Sequence, residues 1–258
     1  MSQSNISINK LKFIQSLHQK KYRQQNQAFL VEGAKNVVEL LLAPSYEIQQ
    51  LYVTEDFAKK YTSQLRQRGV EFVVCNEETL TRAGTLQTND AALAVVTAKQ
   101  NTLLVPEASE WILALDQVRD PGNLGTIVRI ADWYGIRKIV CSDNTAEIYN
   151  PKVIAATMGS FTRIEICYAP LPEYLSKYVP QNMPIYGAFL GGENVHKTDF
   201  GAQGGVLIMG NESNGICEEV AKYVRHSIAI PQYGHAESLN VAIATAVLCD
   251  NIRRSTER

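Results

Sequence analysis

Between Trp111 and Ile230 six short, almost wholly apolar runs recur: Trp111–Leu115, Lys138–Cys141, Arg163–Cys167, Ile185–Leu190, Gly205–Met209 and Ser227–Ile230. Helical segments separate them at Leu124–Tyr134, Pro151–Met158, Pro172–Tyr178, briefly after Asn214, and at length after Ser238. Strands apolar on both faces must be covered on both, and strands joined by helices run parallel. The pattern predicts an α/β unit on a mostly parallel sheet. Its last helix is apolar almost all round, with Leu239, Val241, Ile243, Ala246, Val247 and Leu248. That suits a core or a subunit interface better than a solvent-facing surface. Ser238 is the expected N-cap of this helix.

A second, smaller unit precedes this one. Helices are expected at Ile8–His18, Ala34–Leu42, Glu55–Arg68 and Glu77–Thr81, with strands at Ala28–Val31, Ile48–Val53, Val70–Val74 and Ala91–Val96. Alternation of this kind predicts a small α/β/α domain. It holds no nucleophile paired with a base and no phosphate loop, so its offer is surface. Lys10, Lys12, Lys20, Lys21 and Arg23 all precede the first acidic residue, Glu32. The net charge is only -1, yet a local basic face is enough for phosphate contact. A solvated basic helix accounts for the same cluster. The expected division is a binding domain over 1–97, a linker over 98–110 containing Pro106, and a larger domain over 111–258.

Five cysteines without a CxxC spacing point to a reducing compartment, hence a cytoplasmic protein. Four histidines show no metal-ligand spacing, so no metal is expected. No apolar run reaches membrane-spanning length, and the polar N-terminus has no leader-like apolar stretch. Neither the dinucleotide-binding nor the Walker glycine pattern is present, nor is a G-x-S-x-G elbow or HExxH. His235 near Ser238 lacks an aspartate to complete a hydrolytic set.

In parallel α/β sheets ligands lie beyond the carboxyl ends of the strands. Three polar, glycine-bearing segments follow strands in that way: Asp116–Gly135, Met209–Ile216 and Ile230–Asn240. They present Asn123, Arg129, Asn211, Glu212, Ser238 and Asn240, to which Asn150 and Lys152 add at the start of the Pro151–Met158 helix. A helix start near Asn123, with Arg129 six residues on, suits an anion such as a backbone phosphate. Taken singly, Arg129 fits equally a salt bridge to Asp132 or Glu147, and Glu212 fits a helix-capping role.

These segments resemble the motifs of the SpoU or TrmH-type RNA ribose 2′-O-methyltransferases of the SPOUT class. NLGTIVRIADWYG matches the first motif through Asn123, Gly125 and Arg129, and YNPKVIAATMGSFTRI matches a further signature. IMGNESNGI matches the second through Asn211, Glu212 and Gly215, and IPQYGHAESLNVAIA the third through Ser238, Leu239 and Asn240. FLVEGAKNVVELL resembles, more loosely, the ribosomal-protein-like substrate-binding domain found in many rRNA members.

The resemblance implies a deep trefoil knot in the C-terminal sheet, a homodimer, and S-adenosylmethionine as cofactor. Backbone groups around Leu207, Ile208, Met209, Gly210, Ile228, Ile230 and Leu239 would hold that cofactor. It gives Arg129 the activation of the ribose hydroxyl, with Asn123, Glu212, Ser238 and Asn240 shaping the site. RNA contacts would fall to Lys10, Lys12, Lys20, Lys21, Arg23, Arg129 and Lys152, with no DNA or membrane partner. The extra N-terminal domain favours 23S rRNA over tRNA as substrate. A non-catalytic RNA-binding or ribosome-assembly protein is the alternative of another class. Two departures stand out. Gln232 replaces a methionine usual in the third motif, near the methionine end of the cofactor. GTLQTNDAALAVV lacks the proline- or histidine-bearing form common before the last strand of the first domain.

Overall fold

The computed structural model describes residues 6–256. In chain order the elements are α1 (Ile8–Ser16), α2 (Lys20–Asn26), β1 (Ala28–Glu32), α3 (Ala34–Leu41), β2 (Ile48–Val53), α4 (Glu55–Lys60), α5 (Thr62–Arg68), β3 (Val73–Val74), α6 (Glu77–Ala83), β4 (Ala92–Thr97) and β5 (Trp111–Leu115). They continue with α7 (Pro121–Trp133), β6 (Lys138–Cys141), α8 (Pro151–Thr157), β7 (Glu165–Tyr168), α9 (Leu171–Lys177), β8 (Ile185–Asn194), β9 (Gly205–Met209), α10 (Glu218–Ala221), β10 (His226–Ala229) and α11 (Val241–Thr256). The described residues form two compact units: residues 6–100 with 147–162, and residues 101–146 with 163–256.

The first unit is a four-stranded sheet in the order β1-β4-β2-β3, with β4 antiparallel to both neighbours. Alternation along β1 sends Phe29 and Val31 to one face and Ala28 and Leu30 to the other, and helices cover both. The expected α/β/α layering is present. One cover was unforeseen. Ile154 of α8 and Phe161 are buried in the same core as Phe29, Val37 and Tyr46. Tyr149 stacks on Phe29 with ring centroids 4.3 Å apart, and the Tyr46 hydroxyl donates to the Phe161 carbonyl at 3.0 Å. Residues 147–162 therefore depart from the expected cut, which assigned everything beyond 111 to the second domain.

Local differences have local causes. The expected helix over 55–68 breaks at Tyr61, whose φ of -111° and ψ of 29° leave the helical basin. Helix α2 went unread because KKYRQQN has no apolar period. The segment expected as a linker is anchored within the second unit. Asn101 exchanges two hydrogen bonds with the Tyr168 backbone, at 2.9 and 2.8 Å, and Leu104 joins that unit's core.

The second unit is a six-stranded, wholly parallel sheet in the order β10-β8-β9-β5-β6-β7. This is the parallel sheet that the run of apolar strands and helices predicts. Helices α9 and α10 pack on one face through Leu171, Tyr174, Leu175 and Val220. Helix α7 buries Leu124, Ile127, Val128 and Ala131, and packs against α11.

Candidate active site

Three strand ends bring the polar segments together. Beyond β5, the Asp120 side chain accepts from the Asn123 amide at 2.8 Å and Pro121 occupies the first turn of α7. A capping acceptor with proline behind it is a strong helix start, so α7 opens before the expected Leu124. This fixes Asn123 at the mouth of the helix. Buried Asp116 accepts from the Cys217 amide at 2.8 Å and so ties the end of β5 to the segment after β9. Burial first, and then the neighbouring Asp116 carboxylate, push the Cys217 thiol above its ordinary range, which keeps it protonated and inert.

Asn123 Nδ2 donates to Glu212 Oε1 at 2.7 Å, and Asn240 Nδ2 donates to Asn123 Oδ1 at 2.9 Å. Asn211 Nδ2 donates to the Gln117 carbonyl at 2.9 Å and to Glu212 Oε2 at 3.3 Å. One amide–carboxylate chain thus joins all three segments. Glu212 does not cap a helix, because both its oxygens are committed to asparagine side chains and α10 starts only at Glu218.

Two further expectations are corrected. The cap of α11 is Asn240 rather than Ser238: Asn240 Oδ1 accepts from the Ala242 and Ile243 amides at 2.9 and 3.3 Å. Ser238 lies in an exposed, irregular stretch ahead of the helix. Arg23 does not face solvent. It is 4% exposed, paired with Glu147 at 2.5 Å, and bonded to the carbonyls of Leu17 and His18. With four of its five N–H donors so used, its charge paired and its side chain buried, it is not available to a phosphate. Lys10, Lys12, Lys20, Lys21 and Lys152 are all exposed on the first unit.

Arg129 is exposed on α7. Both carboxylates once set against it are taken, Asp132 by Arg163 and Glu147 by Arg23. Among the described residues Arg129 makes no hydrogen bond or ion pair. It lies about 9 Å along the helix axis from Asn123 at 1.5 Å per residue.

A cleft of about 960 Å³ opens among these loops, lined by Leu190, Met209–Ile216, Ile228–Gly234 and Ala236–Leu239 among others. Of the expected cofactor residues, Met209, Gly210, Ile228, Ile230 and Leu239 line it, whereas Leu207 and Ile208 are fully buried in β9. Ala188–Leu190, Ala244 and Leu248 line it unannounced. The first three belong to the extension of β8, where Ser227 pairs with Gly187 but Ile228 with Glu193. The glycines Gly191 and Gly192 were the available signal for that irregularity.

The cleft fits S-adenosylmethionine. Its size is that of a drug-sized ligand pocket, and its walls are largely apolar, with Met209, Ile216, Ile228 and Leu239 beside the polar Glu212. At Gly210 an added Cβ would collide with the Gly215–Ile216 peptide, and at Gly192 with the backbone of Ile228. Gln232 donates to the carbonyls of Gly234 and Ala236 at 2.8 and 3.0 Å. In place of methionine, it pins the turn that forms the cleft's rim.

Comparison with known proteins agrees with this geometry. The SpoU rRNA methylase family matches residues 110–250, and the MRM3-like substrate binding domain matches residues 9–94. The chain is 30% identical to the Bacillus subtilis 23S rRNA (guanosine(2553)-2′-O)-methyltransferase RlmP, over 95% of this chain and 96% of that protein. A TrmH-family protein from Porphyromonas gingivalis shares 36% identity and a TM-score of 0.83, covering 97% and 99% of the two chains. An AdoMet-bound rRNA methyltransferase from Sinorhizobium meliloti shares 30% identity and a TM-score of 0.85, covering 97% of each. The chain therefore belongs to the SpoU rRNA methylase family.

Proposed function

We propose that this protein methylates a single ribose 2′-hydroxyl in 23S rRNA, working as a homodimer in the cytoplasm. It is an S-adenosylmethionine-dependent RNA 2′-O-ribose methyltransferase. The observation that carries the reading is the Asn240–Asn123–Glu212 chain at the cleft, whose central Asn123 shares helix α7 with an uncommitted Arg129. The Bacillus relative's name supports the 23S rRNA and ribose assignments, and the Sinorhizobium structure supports the cofactor.

When bound, S-adenosylmethionine supplies an activated methyl group. The protein's part is to orient the hydroxyl, exclude water and remove one proton. Arg129 is held on a rigid helix with all its donors free, so it binds an anionic group beside the ribose and favours the alkoxide. Glu212, with both oxygens bridged by amides, fixes the relative position of the three loops. The exposed lysines of α1, α2 and α8 supply sequence-independent phosphate contacts.

Dimerisation is supported by Trp133 on α7 and Ile243 on α11, which are 84% and 54% exposed in the single chain. The five free cysteines suit a reducing compartment. Among the described residues no helix is long and apolar enough to cross a membrane.

Mapping 2′-O-methyl positions in total RNA from cells with and without the gene tests the reading. One 23S site should vanish on deletion and return when the purified protein acts on unmodified 23S rRNA. Loss of a tRNA methyl instead, or of none, would overturn it.

A further inference from the structure

Arg129 is not alone on the connection that builds the site. Arg119 is exposed, stands one residue ahead of the Asp120 cap, and donates to Gln117 Oε1 at 2.6 Å. Among the described residues this is its one hydrogen bond, and it has no ion pair. A guanidinium carries five donors in a planar fork, and a single amide oxygen leaves most of them free. The adjacent carboxylate, Asp120, gives one oxygen to the Asn123 amide and forms no ion pair with Arg119 among the described residues.

The residue that holds Arg119 is itself firmly held. Gln117 has φ 57°, a left-handed conformation that is uncommon for a residue other than glycine. Its N–H donates to Ser142 Oγ at 2.8 Å, and its carbonyl accepts Asn211 Nδ2 at 2.9 Å. Strained residues persist where their surroundings over-determine them, and they gather at functional sites. Through Gln117 and Asn211, Arg119 is coupled to Glu212 and hence to the amide chain at the cleft.

We propose that Arg119 is a substrate-positioning residue whose free N–H fork binds a backbone phosphate of the RNA next to the target ribose. The strand-end loop sets the height of the guanidinium, Gln117 sets its direction, and Arg129 serves the same nucleotide from further along α7. Arginine suits the task because its fork matches a phosphate in two parallel hydrogen bonds. The inference rests on the RNA methyltransferase reading above.

The test compares wild type, Arg119→Ala and Arg119→Lys on 23S rRNA transcribed in vitro, measuring turnover and equilibrium RNA binding across a salt series. Arg119→Ala should raise the KM for RNA about tenfold, with kcat within twofold and the melting temperature and cofactor affinity unchanged. Its plot of log affinity against log salt should be shallower by about 0.7–0.9, the contribution of one phosphate contact. Arg119→Lys should restore that slope but only part of the affinity, because an ammonium cannot form the paired bonds. An unchanged slope and KM in Arg119→Ala would overturn the proposal, as would a fall in kcat together with cofactor affinity, which marks a merely structural residue. If wild type bound this RNA but transferred no methyl to it, the functional reading would fail. The salt slopes would still decide the role of Arg119.

Discussion

Asp132 receives Arg163 on both carboxylate oxygens, at 3.1 and 3.0 Å from Nε and 2.8 Å from Nη2. The acid three positions beyond Arg129 is thereby taken, and Arg129 is left without an ion pair among the described residues. Arg129→Ala should lower methyl transfer at least about a hundredfold, the low end for loss of a proton-transfer group. Calorimetric cofactor affinity should stay within a few-fold of wild type. Near-normal turnover would return Arg129 to the role of a surface cation.

Asn240 does two jobs, and substitutions can part them. Asn240→Asp keeps the acceptor that caps α11 but cannot donate to Asn123, whereas Asn240→Ala loses both. Loss of a cap costs about 1 kcal/mol, so the alanine variant should melt lower than the aspartate variant. Both should lose activity, because Asn123 and Glu212 are no longer tied to the third loop. Thermal melts alongside single-turnover rates would check this, and equal melting temperatures would refute the capping assignment.

Gly210 is a matter of space. Any side chain there must displace the Gly215–Ile216 peptide. Gly210→Ala should cost about 1–3 kcal/mol through overpacking and should weaken cofactor binding more than Gly234→Ala, where an added Cβ meets nothing within 4 Å. Denaturant midpoints and calorimetry on the two variants make the comparison.

Arg23 and its lysine neighbours should behave in opposite ways. Removing Arg23 strands the Glu147 carboxylate, which is only 17% exposed, and breaking such a pair costs on the order of 3 kcal/mol. Neutralising Lys10, Lys12, Lys20 and Lys21 should leave stability nearly unchanged and flatten the salt dependence of RNA affinity. A neutralised protein with the wild-type slope would assign the RNA contact elsewhere.

The parallel sheet was legible because its strands are apolar runs between helix-forming segments, and three of them, β5, β6 and β9, begin and end where the sequence places them, as does β2 in the first unit. Asn123, Glu212 and Asn240 were legible as motif positions, and the structure joins them by hydrogen bonds. What stayed hidden was partnership. Nothing local to Arg23 announces a carboxylate 124 residues away, and basic residues in a polar helix look alike until their partners are known. The start of α11 was misplaced because Ser238 and Asn240 are both good caps, and only the path of the rim between Pro231 and Leu239 decides between them. Arg119 left no sequence signal at all, since its use depends on a left-handed turn at Gln117.

The segment over 147–162 has a consequence for how the protein is made. The core around Phe29 and Tyr46 lacks Ile154 and Phe161 until about 65 residues after Thr97 have been synthesised, several seconds later at roughly 5–20 residues per second. During that interval the nascent chain presents an unfilled apolar face. The first unit is thus completed only after residues 101–146 of the second have been translated, so the sequences of two strands of the larger sheet, β5 and β6, precede its closure. A nascent chain stalled before Tyr149 would be a natural client for a holdase chaperone, and a fragment ending at Gln100 would inherit the same exposed face for good.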